Sequence, residues 1–247
     1  MRLFMTSLFA LLPSRLAACA LSAIGHRIHP TAKIGFSLVR VERLCMGPHS
    51  SIGHGNLISC RRLVLREKAR FRHLNVAAGP FSILVGSRSL IGNRNRIRRQ
   101  PFGITYGPSV LRLGKVTGIT IGHSLDLTRS ILIGDYTTFA GMGTQIWTHG
   151  YYHYSTGENR FRVDGRVMFG NNVYIGSSCC ISMGVHVADG IMIGAMSSVS
   201  KDLTVRGLYV SQPLRFVELD LQRTLSRLDE VAGYKLDERV YQKRESE

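Results

Sequence analysis

The sequence predicts an all-β parallel solenoid, in which short strands stack coil upon coil. Two observations predict it. Apolar residues recur every six positions without a slip at Phe169, Ile175, Ile181, Val187, Ile193 and Val199. Glycine or another small residue follows each of them, and a second apolar or small residue stands two positions ahead, at Val167, Val173, Cys179, Val185, Ile191 and Ser197.

A period of six residues fits neither the 3.6-residue helix nor the two-residue alternation of a plain strand. It fits a triangular coil built from three six-residue rungs, each with one flat face and one corner. The aliphatic side chain points inward, and the small residue after it eases the turn. Successive coils then stack as parallel strands about 4.8 Å apart.

The N-terminal segment, residues 1–30, predicts one or two amphipathic helices. An apolar run at residues 3–12 ends at Pro13, and it is too short to span a bilayer. Arg15 stands four residues before Cys19, where signal peptides seldom carry a charge, which disfavours export. The helices either cap the open end of the solenoid or lie on a membrane surface.

Residues 31–217 are expected to form the solenoid itself. One six-residue phase links Ile34, Met46, Ile52, Ile58 and Val64. A second phase links Val85, Ile91 and Ile97 and continues through Ile121, Leu127, Ile133 and Phe139. Arg40 and Arg70 fall where aliphatic residues are expected, which predicts irregular early coils.

Two segments interrupt the rhythm, at residues 98–118 and 146–166. The first is rich in glycine and proline, and the second carries His, Tyr and Arg but no aliphatic-glycine pair. Because a regular solenoid has no cleft of its own, functional residues are expected on these excursions. Residues 218–247 are polar with a leucine-rich start, which predicts a capping helix followed by a loose tail.

The charge balance predicts an anionic partner. There are 32 Lys and Arg against 16 Asp and Glu, a formal charge of +16. Such a balance attracts nucleic acid, phosphorylated sugars, coenzyme A or a membrane face. The basic residues are dispersed and no nucleic-acid motif accompanies them, which disfavours nucleic acid. The five cysteines are odd in number and lack CxxC spacing, which indicates reduced thiols in a cytoplasm.

The stretch "YIGSSCCISMGVHVADG" followed by "IGAMSSVSKDL" resembles the hexapeptide-repeat, acyl-CoA-dependent acyltransferases. Within that family it is most similar to sugar O-acetyltransferases of the maltose, galactoside, capsule and O-antigen types. The resemblance is strongest over residues 121–218 and weaker over 13–97. It implies a left-handed parallel β-helix, acetyl-CoA as acyl donor, no metal, and a homotrimer with the active site between neighbouring solenoids. It implies acetyl transfer to a sugar hydroxyl in cell-surface polysaccharide synthesis, but it does not identify the acceptor.

His149 is the catalytic candidate. The family carries a histidine shortly after an "IGD" rung, and "LIGDYTTFAGMGTQIWTHG" places His149 there, one position short of the expected spacing. A neutral imidazole can take the proton of an attacking hydroxyl, which is typically worth ~10²–10⁴ in rate, and return it to the departing thiolate. The alternative is a polar loop residue without a catalytic role.

Three further residues are candidates for acceptor binding. Asp126, in "SLDLTRSILIGD", matches a family aspartate that contacts the sugar; alternatively it makes a turn hydrogen bond. Trp147, the only tryptophan, lines the site or packs the root of the loop. His153 is either an acceptor contact or a surface residue.

Coenzyme A candidates follow from the family match of the C-terminal rungs: Ser177, Ala195, Ser200, Lys201 and Arg215. Lys201 is expected to face the phosphates of the coenzyme as a charge partner. Glu218 stands where the family has a further basic residue, which leaves the binding of the phosphate end open.

Two rival functions share the predicted fold. A γ-type carbonic anhydrase would bind metal through three histidines, and His123, His149 and His153 are the candidates. Their spacing departs from that family, since three residues rather than four separate His149 and His153. A non-catalytic scaffold is the other rival, against which the intact His149, Asp126 and Lys201 argue. Coenzyme A is a cytoplasmic donor, so a cytoplasmic location is expected, with peripheral contact at the inner face of an anionic membrane as a further possibility.

Overall fold

The computed structural model describes residues 12–153, 160–211, 215–218, 220, 222–223, 226, 228–231 and 240–243. These residues form a parallel β-solenoid of about nine turns, preceded by helix α1 (Ser14–Ala23). Each coil has three faces, and the strands of the solenoid pair in parallel with the strands directly above and below them on the same face.

The strands of each face stack in chain order. The first face contains β1 (Arg27–Ile28), the second halves of β3 (Leu38–Met46) and β5 (Leu57–Leu65), then β8 (Ser82–Val85), β11 (Val110–Leu113), β14 (Ile131–Ile133), β19 (Val167–Phe169) and β22 (His186–Val187). The second face contains β2 (Lys33–Ile34), β4 (Ser51–Ile52), β6 (Arg70–Phe71), β9 (Leu90–Asn93), β12 (Gly118–Ile121), β15 (Thr138–Met142), β20 (Tyr174–Ile175), β23 (Met192–Ile193) and β25 (Leu208–Val210), with β26 (Arg215–Val217) added antiparallel. The third face contains the first halves of β3 and β5, then β7 (Val76–Ala78), β10 (Arg96–Arg98), β13 (Ser124–Asp126), β16 (Gln145–Ile146), β21 (Cys180–Ile181) and β24 (Ser198–Val199).

The predicted six-residue repeat of the last coils is confirmed. The six residues of the repeat and the six residues two positions ahead of them are all buried, and all of them except Ser197 belong to one continuous hydrophobic core. The ladder stacks equivalent positions, since Ile175 lies opposite Ile193 and Ile181 lies opposite Val199. One aliphatic side chain for each rung therefore fills the interior.

The early coils depart from the predicted phase. Met46 lies opposite Leu65, and Leu65 lies opposite Val85, so one coil takes 19 or 20 residues instead of 18. The surplus residues enter at the corner that joins the third face to the first, between Ile58 and Leu65 in the second coil. Val64 therefore points outward, and the prediction that it faces the core is wrong. Its neighbours Leu63 and Leu65 are buried instead.

The prediction that Ile121 faces the core is also wrong. It is partly exposed, whereas Ile119 is fully buried. The first excursion inserts a number of residues that is not a multiple of six, so the phase set by Ile97 does not carry past it. That excursion, residues 99–109, is shorter than the predicted 98–118, because residues 110–113 form β11. The other excursion, residues 147–166, contains an antiparallel hairpin of β17 (His149–Tyr152) and β18 (Phe161–Asp164).

One helix of the predicted N-terminal segment is present among the described residues. Helix α1 begins directly after Pro13, buries Ala17 and Leu21, and packs on β1 and β2. The hydroxyl of Ser14 accepts a hydrogen bond from the backbone N–H of Ile34 at 2.8 Å. No helix among the residues described is long and apolar enough to cross a membrane.

The predicted capping helix at the start of residues 218–247 lies largely outside the described residues, of which Gln222 and Arg223 are helical. The strands β27 (Leu228–Val231) and β28 (Val240–Lys243) form an antiparallel pair in the segment for which a loose tail is predicted. Val231, Val240 and Tyr241 are β-branched or aromatic residues, which favour extended strands over a helix.

Candidate active site

A cavity of about 700 Å³ lies on the outer surface of the third face, over the fourth to sixth coils. Both excursions leave the solenoid at the corner beside it, and both contribute to its wall. Its lining comprises Arg96, Arg98, Arg99, Gln100, Ile104, Thr105, Ser124, Leu125, Asp126, Thr128, Ile146, Trp147, His149, Tyr151 and Arg162. The two interruptions, on which the sequence predicts functional residues, thus both border this cavity.

Strand alternation explains which side chains reach the cavity. Ile97, Leu125 and Ile146 point into the core, so their neighbours on β10, β13 and β16 point outward. Arg98 lies directly opposite Asp126 in the ladder. The floor of the cavity is therefore built from rigid strands, and the walls are built from the excursions.

Asp126 and His149 form the central contact. The Nδ1 atom of His149 lies 2.8 Å from Oδ2 of Asp126. The side chain of Asp126 is 12% exposed and that of His149 is 27% exposed, so the pair is partly shielded but open to a ligand. Because Asp126 occupies Nδ1, Nε2 is the ring nitrogen left to accept a proton from a ligand.

Two threonines hold the carboxylate of Asp126 in place. The hydroxyl and the backbone N–H of Thr148 donate to Oδ2 at 2.7 and 3.0 Å. The hydroxyl and the backbone N–H of Thr128 donate to Oδ1 at 2.9 and 3.2 Å. Burial alone raises the pKa of Asp126, but the hydrogen bonds from Thr148, His149 and Thr128 outweigh it and lower the pKa below its ordinary value. Asp126 is thus held as a carboxylate.

The turn hydrogen bond considered for Asp126 is present, in the bond from the backbone N–H of Thr128. Both carboxylate oxygens are at the same time engaged by protein donors. The sequence analysis did not identify Thr128 and Thr148 as partners of Asp126. Thr128 lies two residues after Asp126, and Thr148 directly precedes His149.

Aromatic side chains surround His149. The rings of Trp147 and Tyr151 stand edge-on to the imidazole, with centroids 6.2 and 6.1 Å from it. Trp147 is 42% exposed and donates through Nε1 to Gln145, so it lines the cavity and does not pack the root of the loop. His153 is exposed, lies beside Tyr151, and is not part of the lining.

Two arginines tie the excursions to the solenoid. Arg99 is buried and donates to the carbonyl oxygens of Pro80, Tyr106 and Gly107, which fixes the first excursion. Arg162 forms an ion pair with Asp164 at 2.8 Å and donates to the carbonyl oxygen of Ile104 at 2.8 Å. The second excursion is thereby linked to the first across the cavity.

The coenzyme A candidates lie on the coils that follow. Ser177 and Ala195 occupy the corner between the second and third faces, in the seventh and eighth coils. Ser200 and Lys201 are exposed at the corner between the third and first faces. The two groups flank β21 and β24, beyond the cavity and outside its lining. The backbone of Arg215 lies in β26, and its side chain is outside the described residues.

The proposed metal histidines are not brought together. His123 is buried, its Nδ1 accepts a hydrogen bond from the backbone N–H of Thr144, and its Nε2 lies 3.1 Å from the hydroxyl of Thr120. His149 is paired with Asp126. Among the described residues, no group of three His, Cys, Asp or Glu side chains is placed to hold a metal ion.

Comparison with known proteins addresses the fold. No family model matches the sequence, and no curated protein matches it. Among solved structures, the polysialic acid O-acetyltransferase OatWY is similar with a TM-score of 0.53 and 15% identity, over 78% of this chain and 83% of that one. The chain has the β-helix fold of the hexapeptide-repeat acyltransferases.

Two further structures are similar to a lower degree. A galactoside acetyltransferase in complex with coenzyme A has a TM-score of 0.48 and 22% identity, over 64% of this chain and 72% of that one. A hexapeptide-repeat acetyltransferase from Vibrio cholerae O1 biovar eltor, complexed with acetyl coenzyme A, has a TM-score of 0.45 and 22% identity, over 56% and 70%. At these identities the likeness concerns the fold alone.

Proposed function

We propose that the chain is an acyl-CoA-dependent acyltransferase that moves an acetyl group from acetyl-CoA to a hydroxyl of a sugar. The observation that carries the proposal is the contact of 2.8 Å between His149 Nδ1 and Asp126 Oδ2, inside a cavity walled by both excursions. A histidine whose Nδ1–H is held by a partly buried carboxylate has Nε2 free as a general base.

The reaction follows from this geometry. The acceptor hydroxyl binds in the cavity with its proton directed at Nε2 of His149. As its oxygen attacks the thioester carbon, the proton passes to Nε2, and the carbon–sulfur bond then breaks. The proton on Nε2 moves to the departing thiolate, which leaves as the free thiol of coenzyme A, and the products are an ester and coenzyme A. An amine acceptor would react by the same route and give an amide.

Asp126 has a positioning role in this scheme. Its two oxygens already accept hydrogen bonds from Thr128, Thr148 and His149, so its negative charge stabilises the imidazolium that forms during attack. This differs from the direct sugar contact implied by the family resemblance. Trp147 then offers an apolar surface for the sugar ring, as aromatic side chains do in ligand sites.

The donor is proposed to bind along the seventh and eighth coils. There the coenzyme would lie along the outside of the third face, against the backbone of β21 and β24 and between Ser177 and Ala195 at one corner and Ser200 at the other. Lys201 and Arg215 would supply positive charge for its phosphates. The thioester then reaches the cavity from the C-terminal side, past Trp147. A cytoplasmic location agrees with this donor, and a role in cell-surface polysaccharide synthesis fits an acceptor built from sugars.

A homotrimer is part of the proposal. The solenoid is narrow, and the corner that carries both excursions is open on one side, so a neighbouring solenoid would complete the enclosure of donor and acceptor. The mass in solution at working concentration tests the assembly, and a fully active monomer would contradict it.

The central experiment compares two histidine variants. His149→Asn should lose at least ~10²-fold in turnover, measured as thiol release from acetyl-CoA, because it removes the general base. Its affinity for coenzyme A should stay unchanged. His186→Asn is the matched control, since His186 is an exposed histidine on the first face. Near-normal turnover of His149→Asn removes His149 from the mechanism, and failure of the native protein to bind immobilised coenzyme A refutes the acyltransferase proposal.

A further inference from the structure

The cavity beside His149 is strongly basic. Among the described residues of its lining there are four arginines, Arg96, Arg98, Arg99 and Arg162, and one carboxylate, that of Asp126. A cavity with such an excess of cations would be costly to leave empty of anions, since the like charges repel one another in a partly desolvated space.

Two of the four arginines are already engaged by the protein. The two terminal nitrogens of Arg99 donate to the carbonyl oxygens of Tyr106 and Gly107 in the first excursion and of Pro80 in the preceding coil. Arg162 is paired with Asp164 and with the carbonyl oxygen of Ile104. These two cations therefore serve to hold the walls of the cavity in place.

Arg96 and Arg98 differ from Arg99 and Arg162 because none of the described residues engages their guanidinium groups. Both are exposed, and among the described residues neither guanidinium has a hydrogen bond or an ion pair. They stand on either side of the buried Ile97, so both side chains leave β10 on the cavity side. The carboxylate of Asp126 does not neutralise them, since both of its oxygens are engaged by Thr128, Thr148 and His149.

Their distance from the reactive histidine suits substrate binding. Arg98 lies opposite Asp126 in the ladder, one strand spacing or about 4.8 Å away along the solenoid. Asp126 in turn holds His149. An anion bound by Arg98 would therefore sit next to the group whose hydroxyl is to be deprotonated.

We infer that Arg96 and Arg98 recognise an anionic group, a carboxylate or a phosphate, on the acceptor sugar. The inference rests on the proposed function. The guanidinium fork matches the two oxygens of a carboxylate or phosphate, which gives both charge and geometry to the contact. The acceptor class is then a sugar acid or a phosphorylated sugar, and a neutral sugar binds less well.

The phosphates of coenzyme A are the other source of the same chemistry, and position decides against them. Arg96 and Arg98 belong to the fourth coil, whereas the donor candidates belong to the seventh and eighth. His149 leaves the sixth coil and stands between the two groups. A donor whose thioester reaches His149 from the C-terminal coils would have its phosphates on the far side from Arg96.

The test uses matched acceptors. Thiol release from acetyl-CoA is followed with glucuronate against glucose, and with glucose 1-phosphate against glucose. The anionic member of at least one pair should have a kcat/KM at least ~10-fold above that of glucose, since only the anion can make charge-assisted hydrogen bonds with the two guanidinium groups. Equal values in both pairs would overturn the inference.

Variants locate the effect. Arg98→Gln and the double variant R96Q/R98Q should raise the KM of the preferred anionic acceptor at least ~10-fold, with the double variant more affected. Arg112→Gln is the matched control, because Arg112 is an equally exposed arginine at the centre of β11 on the first face. An increase that falls on the KM of acetyl-CoA instead assigns the two arginines to the coenzyme and overturns the inference.

A binding measurement separates this inference from the proposed function. Titration calorimetry with glucuronate and with glucose 1-phosphate requires no turnover. Heat of binding in the native protein that is lost in R96Q/R98Q supports the anion site, even if thiol release fails and the acyltransferase proposal falls with it. Thiol release to glucose, together with no binding of either anion, retains the acyltransferase and overturns the anion site.

Discussion

Asp126 shows how one residue of the site depends on its neighbours. Its carboxylate is partly buried and accepts hydrogen bonds from two threonines and a histidine. In Asp126→Asn, the new NH₂ group would face at least one of these donors, so the contact with His149 would be lost or distorted. Turnover should fall at least ~10-fold, towards the ~10²–10⁴ attributed to general-base catalysis. Thiol release from acetyl-CoA measures it, and unchanged turnover would contradict the positioning role.

The same variant has a signature in the pH dependence of stability. The pKa of Asp126 is lower in the folded protein than its ordinary value of 3.8. Its carboxylate therefore stabilises the fold fully above that value, and the stabilisation is lost as the pH falls through the folded pKa. The difference in free energy of unfolding between native protein and Asp126→Asn should shrink from pH 7 to pH 3.

His123 is a buried histidine in a ladder of buried polar side chains that runs along one corner of the solenoid. Asn56, Asn75 and Asn95 occupy the equivalent corner position in the three preceding coils, and each accepts a hydrogen bond from the backbone N–H of the next residue in this ladder. His123 continues the ladder through Nδ1. Burial lowers the pKa of His123 from 6.5 to about 4, so the ring stays neutral in the folded protein.

His123→Asn is expected to remove part of the acid sensitivity of the protein. Below pH 6.5 the unfolded chain gains a proton that folded His123 does not, so stability falls until about pH 4. The loss has an upper bound of about 3 kcal/mol, at 1.36 kcal/mol for each pKa unit. Urea unfolding at pH 7 and pH 4.5 measures it, and the same pH dependence in both proteins would contradict the expectation. The other titrating groups are common to both and cancel in the comparison.

At the level of the elements, the three corners of the coil differ in what they tolerate. From the second to the fourth coil, inward residues stay six apart on both sides of the second face, as in Met46, Ile52 and Ile58. In these coils the surplus residues enter at the third corner, which joins the third face to the first, and both excursions leave at the same corner. One further residue enters between the second and third faces of the sixth coil, where Phe139 and Ile146 are seven apart. The six-residue phase could therefore be predicted where this corner is short, in the last coils. The phase could not be predicted in the early coils, because the local sequence does not indicate how many residues the third corner contains.

Gly92, near the end of β9 on the second face, tests how tightly one coil packs on the next at the regular corner that follows. A Cβ atom at this position would meet the carbonyl oxygen of Thr120 in the next coil at less than contact distance. Gly92→Ala should therefore destabilise the protein by about 1–3 kcal/mol, as overpacking of a close contact does. Thermal unfolding followed by circular dichroism measures the loss.

Gly118 supplies the matched control for that experiment. It lies in the adjacent strand β12, and a Cβ atom there would meet no atom within 4 Å. Gly118→Ala should change stability by less than about 1 kcal/mol, in the stabilising direction, because alanine restricts the unfolded chain. Equal effects of the two substitutions would refute close packing at this corner.

For the whole molecule, the sequence predicts the fold class and the two segments that border the candidate site better than the residues that line it. The break in rhythm around residue 149 and the family context led to His149 and Asp126. The periodicity also implied that Arg96 and Arg98 point outward. It did not show that they share a cavity with His149, because that depends on stacking β10 two coils below β16 and on Arg162 linking the two excursions.

The N-terminus and the charge of +16 together predict a peripheral membrane contact. Residues 1–11 lie outside the described residues, and their sequence, "MRLFMTSLFAL", is mostly apolar. They lead into Leu12 and Pro13, which line a cavity on the second face together with Lys33, Arg70 and Arg72. An apolar segment next to basic residues favours binding to an anionic leaflet, at about 1 kcal/mol for each basic residue near the surface.

Vesicle flotation decides between membrane contact and a purely structural N-terminus. The full-length protein should float with vesicles of phosphatidylglycerol and phosphatidylcholine at low salt and be released at high salt, because salt screens the attraction. A variant lacking residues 1–11 should stay at the bottom of the gradient. The cut is placed before α1 because Ala17 and Leu21 are buried in the fold, and a deeper cut would remove their packing. R70Q/R72Q should float less than Arg112→Gln, since its lost charges lie beside Leu12. A full-length protein that ignores anionic vesicles at low salt would contradict the membrane contact and leave the charge to attract the coenzyme and the acceptor.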